Sequence, residues 1–301
     1  MSSVRPCTMS EYIGQSSIRP VVENALRLAK TGKRLFPNTL LYGGPGLGKS
    51  SLASVIATEC NYKLLSYTAG RDWTGVRLKK ELLNIDVRGY GKGGKWQPGA
   101  NRYALFIDEI HCLHPSGFEA LYSPLEDLEV HDNGTVYWLA DMVFIFSTTN
   151  PASLPKPFID RLPLQLHLSP YTVDDLCKIV GRLHPHMPKD VVAEIAKRSC
   201  GVARLAINYS QSVEDYPGGL EWFDIMKISP DGLTEWHLKY LDVLQNAEGR
   251  PVSLSAMASV LRETPNVVRM MEEELIRQNR IAVTPHGRIL TECEVRGPKL
   301  R

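Results

Sequence analysis

Residues 40–50, Leu-Leu-Tyr-Gly-Gly-Pro-Gly-Leu-Gly-Lys-Ser, constrain this chain more than any other stretch. Gly43, four intervening residues and then Gly48-Lys49-Ser50 have the spacing of a phosphate-binding loop. Glycines at 43, 44, 46 and 48 let the backbone curl until successive N–H groups point inward at phosphate oxygens. Pro45 and Leu47 between them, and Ser51 just after, complete the run expected against a nucleotide. Lys49 can reach the β- and γ-phosphates, and the Ser50 hydroxyl can sit on Mg²⁺. The apolar residues before the loop read as a buried strand. Residues 51–57 read as a helix whose N-terminus favours an anion. A plain glycine-rich turn is the alternative, and the strand–loop–helix setting argues against it.

Tyr103-Ala-Leu-Phe-Ile-Asp108-Glu109-Ile is too apolar to alternate, so it reads as a second buried strand with two acids at its C-terminal end. In a parallel sheet that end opens onto the ligand crevice. Asp108 is then placed for the Mg²⁺ shell and Glu109 for polarising a water toward the γ-phosphate. Paired acids after a strand are otherwise ordinary turn residues; the phosphate loop decides between the two readings. The combination predicts an α/β core that binds ATP and Mg²⁺ and hydrolyses the nucleotide.

The 301 residues can hold two or three domains. A formal net charge of +2 means that any contact with nucleic acid must come from local patches. Six scattered cysteines without a C-x-x-C pair suggest reduced thiols and a cytoplasmic setting. No apolar run approaches the roughly 18 residues of a membrane span, and the N-terminus carries no signal-peptide pattern.

Arg5-Pro6, then Glu11-Tyr12-Ile13-Gly14-Gln15, precede a helix-like stretch from about 17 to 33. These segments, the phosphate loop and Leu105-Phe-Ile-Asp-Glu-Ile-His111 follow the order and spacing style of the RuvB family of AAA+ ATPases, which the chain resembles. Glu119-Ala-Leu-Tyr-Ser-Pro-Leu-Glu-Asp127, Gly201-Val-Ala-Arg-Leu-Ala206 and Thr284-Pro-His-Gly-Arg288 extend the resemblance over nearly the whole chain. That family drives branch migration of Holliday junctions. The resemblance implies a parallel-sheet AAA+ domain over 1–168, a small helical lid over 169–228 and a winged-helix domain over 229–301. It also implies self-association into a ring, a hexamer, with DNA through its centre and a RuvA-like adaptor as partner.

Several roles follow from the resemblance. Tyr12 and Ile13 would line the adenine pocket, and Tyr171 would close over the base. In Met142-Val-Phe-Ile-Phe-Ser-Thr-Thr-Asn150, Asn150, with Thr149 as the alternative, would orient the attacking water and read the γ-phosphate. Arg161 matches the arginine finger supplied to a neighbouring subunit; a surface pair with Asp160 is the plainer reading. Arg204 matches the lid arginine that touches the γ-phosphate in its own subunit.

The chain also departs from the family. Gly43-Gly44-Pro45 replaces Gly-Pro-Pro, Ser50 replaces Thr, Cys112 stands where Arg is usual, and Ile159 replaces a first arginine. Residues 128–140 read as a β-hairpin turning at Asp132-Asn133-Gly134, shorter than the family's adaptor-docking hairpin. His111, Cys112 and His114 have too few converging donors for a metal centre and read as strand-end packing. Between the two nucleotide motifs lies a glycine-rich basic loop, longer than the family's, in which Lys92, Lys95 and Trp96 suit a DNA backbone and stacked bases.

Beyond a linker near 218–232, helices over 234–247, 253–262 and 266–278 and two short strands around Pro285-His-Gly287 make a winged helix. Glu272, Glu273 and Glu274 on its presumed recognition helix would repel phosphates, so the expected DNA contact moves to the basic wing at Arg288. A loader or matchmaker that places another protein on DNA is the rival to a DNA motor, favoured by the altered hairpin and basic loop.

Overall fold

The computed structural model describes residues 5–32, 34–85, 87–90 (backbone only) and 101–291. The chain divides into two compact units, Met1–Ser210 and Gln211–Arg301.

The first unit begins with helix α1 (Arg19–Lys30), which Pro20 starts and whose Val22, Leu26 and Ala29 face the core. Strand β1 (Thr39–Tyr42) delivers the phosphate loop, and α2 (Lys49–Glu59) leaves it. There follow β2 (Lys63–Thr68), α3 (Gly75–Ile85), β3 (Val87–Tyr90) and β4 (Arg102–Asp108). Next come α4 (Pro115–Asp127), β5 (Glu129–Asp132), β6 (Thr135–Leu139) and β7 (Asp141–Thr148). A short α5 (Lys156–Ile159) and β8 (Leu164–His167) complete the sheet region. The lid helices are α6 (Val173–Leu183), α7 (Lys189–Arg198) and α8 (Ala203–Asp215), the last running past the boundary at Ser210.

The main sheet is five-stranded and parallel, in the order β2-β4-β7-β1-β8. Its middle strands are buried on both faces: Leu105, Phe106 and Ile107 of β4 pair with Phe144, Ile145 and Phe146 of β7, all nearly inaccessible. This is why their sequences are continuous rather than alternating. Parallel pairing puts the C-terminal ends of β1, β4 and β7 on one edge, so Gly43, Asp108 and Thr148 leave the sheet side by side. The hairpin at 129–139 forms as read, turning through Asn133 and Gly134, both with positive φ. It also gains β3, giving a second sheet in the order β3-β6-β5.

In the second unit, a short α9 (Glu221–Ile225) precedes α10 (Glu235–Asn246), α11 (Leu254–Leu261) and α12 (Pro265–Arg277). Strands β9 (Ile281–Thr284) and β10 (Gly287–Leu290) pair antiparallel as the wing. Val252 bridges β10 at Arg288 through two backbone hydrogen bonds of 2.8 and 2.9 Å. Tyr240, Leu244, Met257, Val268 and Leu275 fill its core.

Here the structure corrects one expectation. Arg288 is not a free cation on the wing. Its Nε and Nη2 donate to the two oxygens of Glu272 at 2.8 and 3.1 Å, and the Tyr240 hydroxyl donates to the same carboxylate at 2.9 Å. With side chains only 13% and 5% exposed, the pair ties the wing to α12 from inside. The glutamate argument changes too: Glu272 is buried and Glu274 pairs with Arg277, which leaves Glu273 as the exposed acid of the three.

Candidate functional site

One pocket in the first unit gathers residues that lie far apart in sequence. Its walls include Tyr12 and Ile13, residues 45–51, Asp108 and Glu109, Tyr171 and Arg204, with Arg5 and Arg182 beside them. Gly44 is in the same loop, one residue before this lining. Lys92, Lys95 and Trp96 lie outside the described residues.

The phosphate loop is shaped as much by its neighbours as by its own turn. Gly48, at φ 93°, precedes α2, and a Cβ there would stand 2.7 Å from the Tyr171 hydroxyl and 3.0 Å from that of Tyr12. The Tyr171 hydroxyl donates to Leu47 O at 3.1 Å, and the Tyr12 hydroxyl reaches Gly48 O at 3.4 Å. Burial raises the pKa of both phenols, so both stay neutral. A Cβ on Gly46 would meet Val202 Cγ1 at 2.7 Å and Arg204 Cβ at 2.9 Å. The start of α8 therefore packs directly on the loop, and the Arg204 amide donates to Gly46 O at 3.3 Å. Left-handed Cys200 and Gly201 turn the chain from α7 into that position.

Lys49 is buried, and its Nζ donates to Gly43 O and Gly44 O at 2.9 Å each. Burial lowers its pKa and Arg204 lowers it further, while the charges of Glu109 and Asp108 oppose the shift. A buried cation at the mouth of a helix N-terminus is a fitting counter-charge for a polyphosphate. The Ser50 hydroxyl and the Asp108 carboxylate supply the oxygen donors that Mg²⁺ prefers.

Asp108 ends β4; its Oδ1 accepts from the Glu109 amide at 3.1 Å and from the buried Ser147 hydroxyl. Glu109 turns the chain in the left-handed region, at φ 50° and ψ 46°, which is unusual for a residue other than glycine. Its Oε2 accepts from the Thr149 amide at 3.3 Å and the Thr149 hydroxyl at 3.1 Å. Thr149 and Asn150 both lie exposed outside the pocket lining; Thr149 meets Glu109, and the Asn150 amide bonds back to Thr148 Oγ1 at 3.0 Å.

Arg161 is also outside the lining. Its partner is Glu126 rather than Asp160: Nε lies 3.0 Å from Glu126 Oε1, close enough for an ion pair without being aligned as a hydrogen bond. Nη1 donates to Pro157 O at 2.6 Å, and the guanidinium covers the Tyr122 ring at 4.4 Å.

Sequence reasoning missed several supporting residues. Gln15 holds the Ser169 backbone from both sides, donating to its carbonyl at 2.7 Å and accepting from its amide at 3.0 Å. Arg182 donates to Glu11 O at 2.7 Å, so the N-terminal segment is fastened to the lid. His114 caps α4, accepting from the Ser116 amide at 3.3 Å, whereas His111 turns toward Glu109. The position of His111, two residues past the second acid, was the available signal for it.

A family model described as ATPase family associated with various cellular activities (AAA) matches residues 39–170. A second, the RuvB C-terminal winged helix domain, matches residues 230–295. The Holliday junction branch migration complex subunit RuvB of Campylobacter hominis is 29% identical over 326 aligned positions, covering 100% of this chain and 92% of its own. The RuvB Holliday junction branch migration motor of Thermotoga maritima superposes with a TM-score of 0.78 at 29% identity, covering 96% of each chain. A variant of that Thermotoga protein gives a TM-score of 0.79 at 28% identity over 96% of each chain.

Proposed function

We propose that this chain, which the AAA match, the RuvB winged-helix match and the full-length likeness to RuvB mark as a RuvB-like AAA+ ATPase, is a DNA motor that couples ATP hydrolysis to branch migration of Holliday junctions. The observation that carries this reading is the union, in one chain, of a complete nucleotide pocket with a RuvB-type winged helix. We assign the working form to a ring, a hexamer, in the cytoplasm, with DNA as substrate and a RuvA-like adaptor as partner. We also keep the three-part division at 1–168, 169–228 and 229–301, the lid being the part that moves against the phosphate loop.

In this mechanism the loop amides and Lys49 hold the β- and γ-phosphates. Ser50 and Asp108 would hold Mg²⁺, which neutralises phosphate charge when bound. Glu109 takes the role of polarising the attacking water, with Thr149 fixing its carboxylate. Asn150, with Thr149 as the alternative, orients the attacking water, and the bonds from Thr149 to Glu109 support the alternative. Arg204 contacts the γ-phosphate within the subunit. Arg161 acts in trans, which requires it to leave Glu126, the Pro157 carbonyl and the Tyr122 ring.

The test is ATP turnover of the full chain with no DNA, linear duplex, single strand and a four-way junction. Stimulation by duplex or junction, followed by branch migration with the protein alone, supports the motor. Slow turnover indifferent to every DNA refutes it and moves the assignment to a loader.

A further inference from the structure

Beside the acids at the end of β4 is an imidazole that does more than pack the strand end. His111 Nδ1 lies 3.2 Å from Glu109 Oε2 and 3.0 Å from Thr148 Oγ1. Thr148 is fully buried and already accepts from the Asn150 amide, so its hydroxyl is fixed in place. The tautomer follows from the carboxylate: a bare nitrogen lone pair facing Glu109 at this distance would be repelled, so the proton is assigned to Nδ1.

With that proton in place, one oxygen of Glu109 is surrounded. Oε2 accepts from the Thr149 amide and hydroxyl, and His111 Nδ1 stands beside it without being aligned as a hydrogen bond, its own hydrogen bond being with Thr148 Oγ1. None of the hydrogen bonds that Glu109 makes with described residues uses Oε1. The geometry is that of a base with one oxygen tied and the other free to accept a proton from water. The left-handed turn at Glu109 and the 3₁₀ turn Ile110–Cys112 bring the ring back beside the carboxylate, only two residues after it leaves the strand.

We propose that His111 is the positioning residue for Glu109: its Nδ1–H dipole, held beside Oε2 by the hydrogen bond to Thr148, keeps that oxygen on the two Thr149 donors by charge attraction and so presents Oε1 to the attacking water. This rests on the reading of Glu109 as the water-polarising group. His111 itself touches no reacting atom.

The variants separate hydrogen bonding from packing. His111→Phe keeps a ring and removes the N–H, whereas His111→Asn puts an amide N–H close to where Nδ1–H stands. His111→Gln carries its amide to the far nitrogen's position. The Phe and Gln variants should lose roughly 10-fold in kcat, the size expected for one polar contact of modest geometry, with KM for ATP unchanged. The Asn variant should recover turnover to within about threefold, since its donor is restored with somewhat different geometry. Thermal melting of each variant checks folding; if the Phe protein unfolds, the Asn–Gln pair decides alone.

Wild-type turnover in His111→Phe and His111→Gln overturns the proposal, as does an Asn variant as slow as the Gln one. A rise in KM with unchanged kcat overturns it too. Glu109→Gln tests the parent reading separately: turnover retained there removes Glu109 as the base, whatever His111 does. In the Glu109→Gln background, His111→Phe should add no further loss, because both act through one group. A further loss in that double variant would assign His111 to something other than Glu109.

Discussion

Replacing Arg288 by Met distinguishes the buried pair in the winged-helix unit from a DNA contact. Glu272 accepts two bonds from Arg288 and one from Tyr240 and is 4% exposed. Removing the arginine leaves the carboxylate with one neutral donor, and breaking a buried pair in this way typically removes about 3–5 kcal/mol.

Hydrogen exchange of the full chain, read on α12 and the wing peptides, measures this locally. Exchange should rise in Arg288→Met, after correction for intrinsic rates. The double variant Arg288→Met with Glu272→Met should recover most of the protection, because an apolar pair leaves no stranded charge. Weakened duplex binding with unchanged protection would refute the reasoning and return Arg288 to a phosphate.

Three other predictions concern single groups. Arg161→Ala should retain ATP binding yet lose turnover by roughly 10³-fold, and mixing it with Glu109→Gln protein should restore part of the activity, since each supplies what the other lacks; no restoration in mixtures would place Arg161 in a purely structural role. His237 accepts from the Thr234 amide at 3.1 Å through Nδ1, and burial lowers its pKa against a weaker opposing pull from Glu274. That acceptor must be neutral, so the stability it supplies is present above about pH 6.5 and lost as pH falls; thermal melting of His237→Gln should lose this part of the acid dependence. Burial pushes the Cys60 thiol up to about 11, while Cys7 and Cys112 are exposed, so mass-mapped alkylation at pH 8 should label those two well before Cys60.

The buried strands and glycine turns announced themselves in the sequence because burial on both faces and positive φ leave few residue choices. Strands β4 and β7, the phosphate loop, the hairpin at Asn133-Gly134 and the three winged helices are of this kind. The edge strands β2 and β8 were not legible: Lys63-Leu-Leu-Ser-Tyr-Thr and Leu164-Gln-Leu-His are short and half polar, as one-sided strands are. Nor was the pairing of Arg288 with Glu272, since residues sixteen apart on a helix and a strand meet only through the tertiary fold. His111 was visible as a residue but not as a contact, because nothing local tells which strand end its ring will reach.

Helix α8 starts on the phosphate loop, with Arg204 bonded to Gly46 and no room between them for a side chain. The contact runs through backbone and Cβ atoms rather than long side chains, so a displacement of the loop has no slack to take up before it reaches the first turn of the helix.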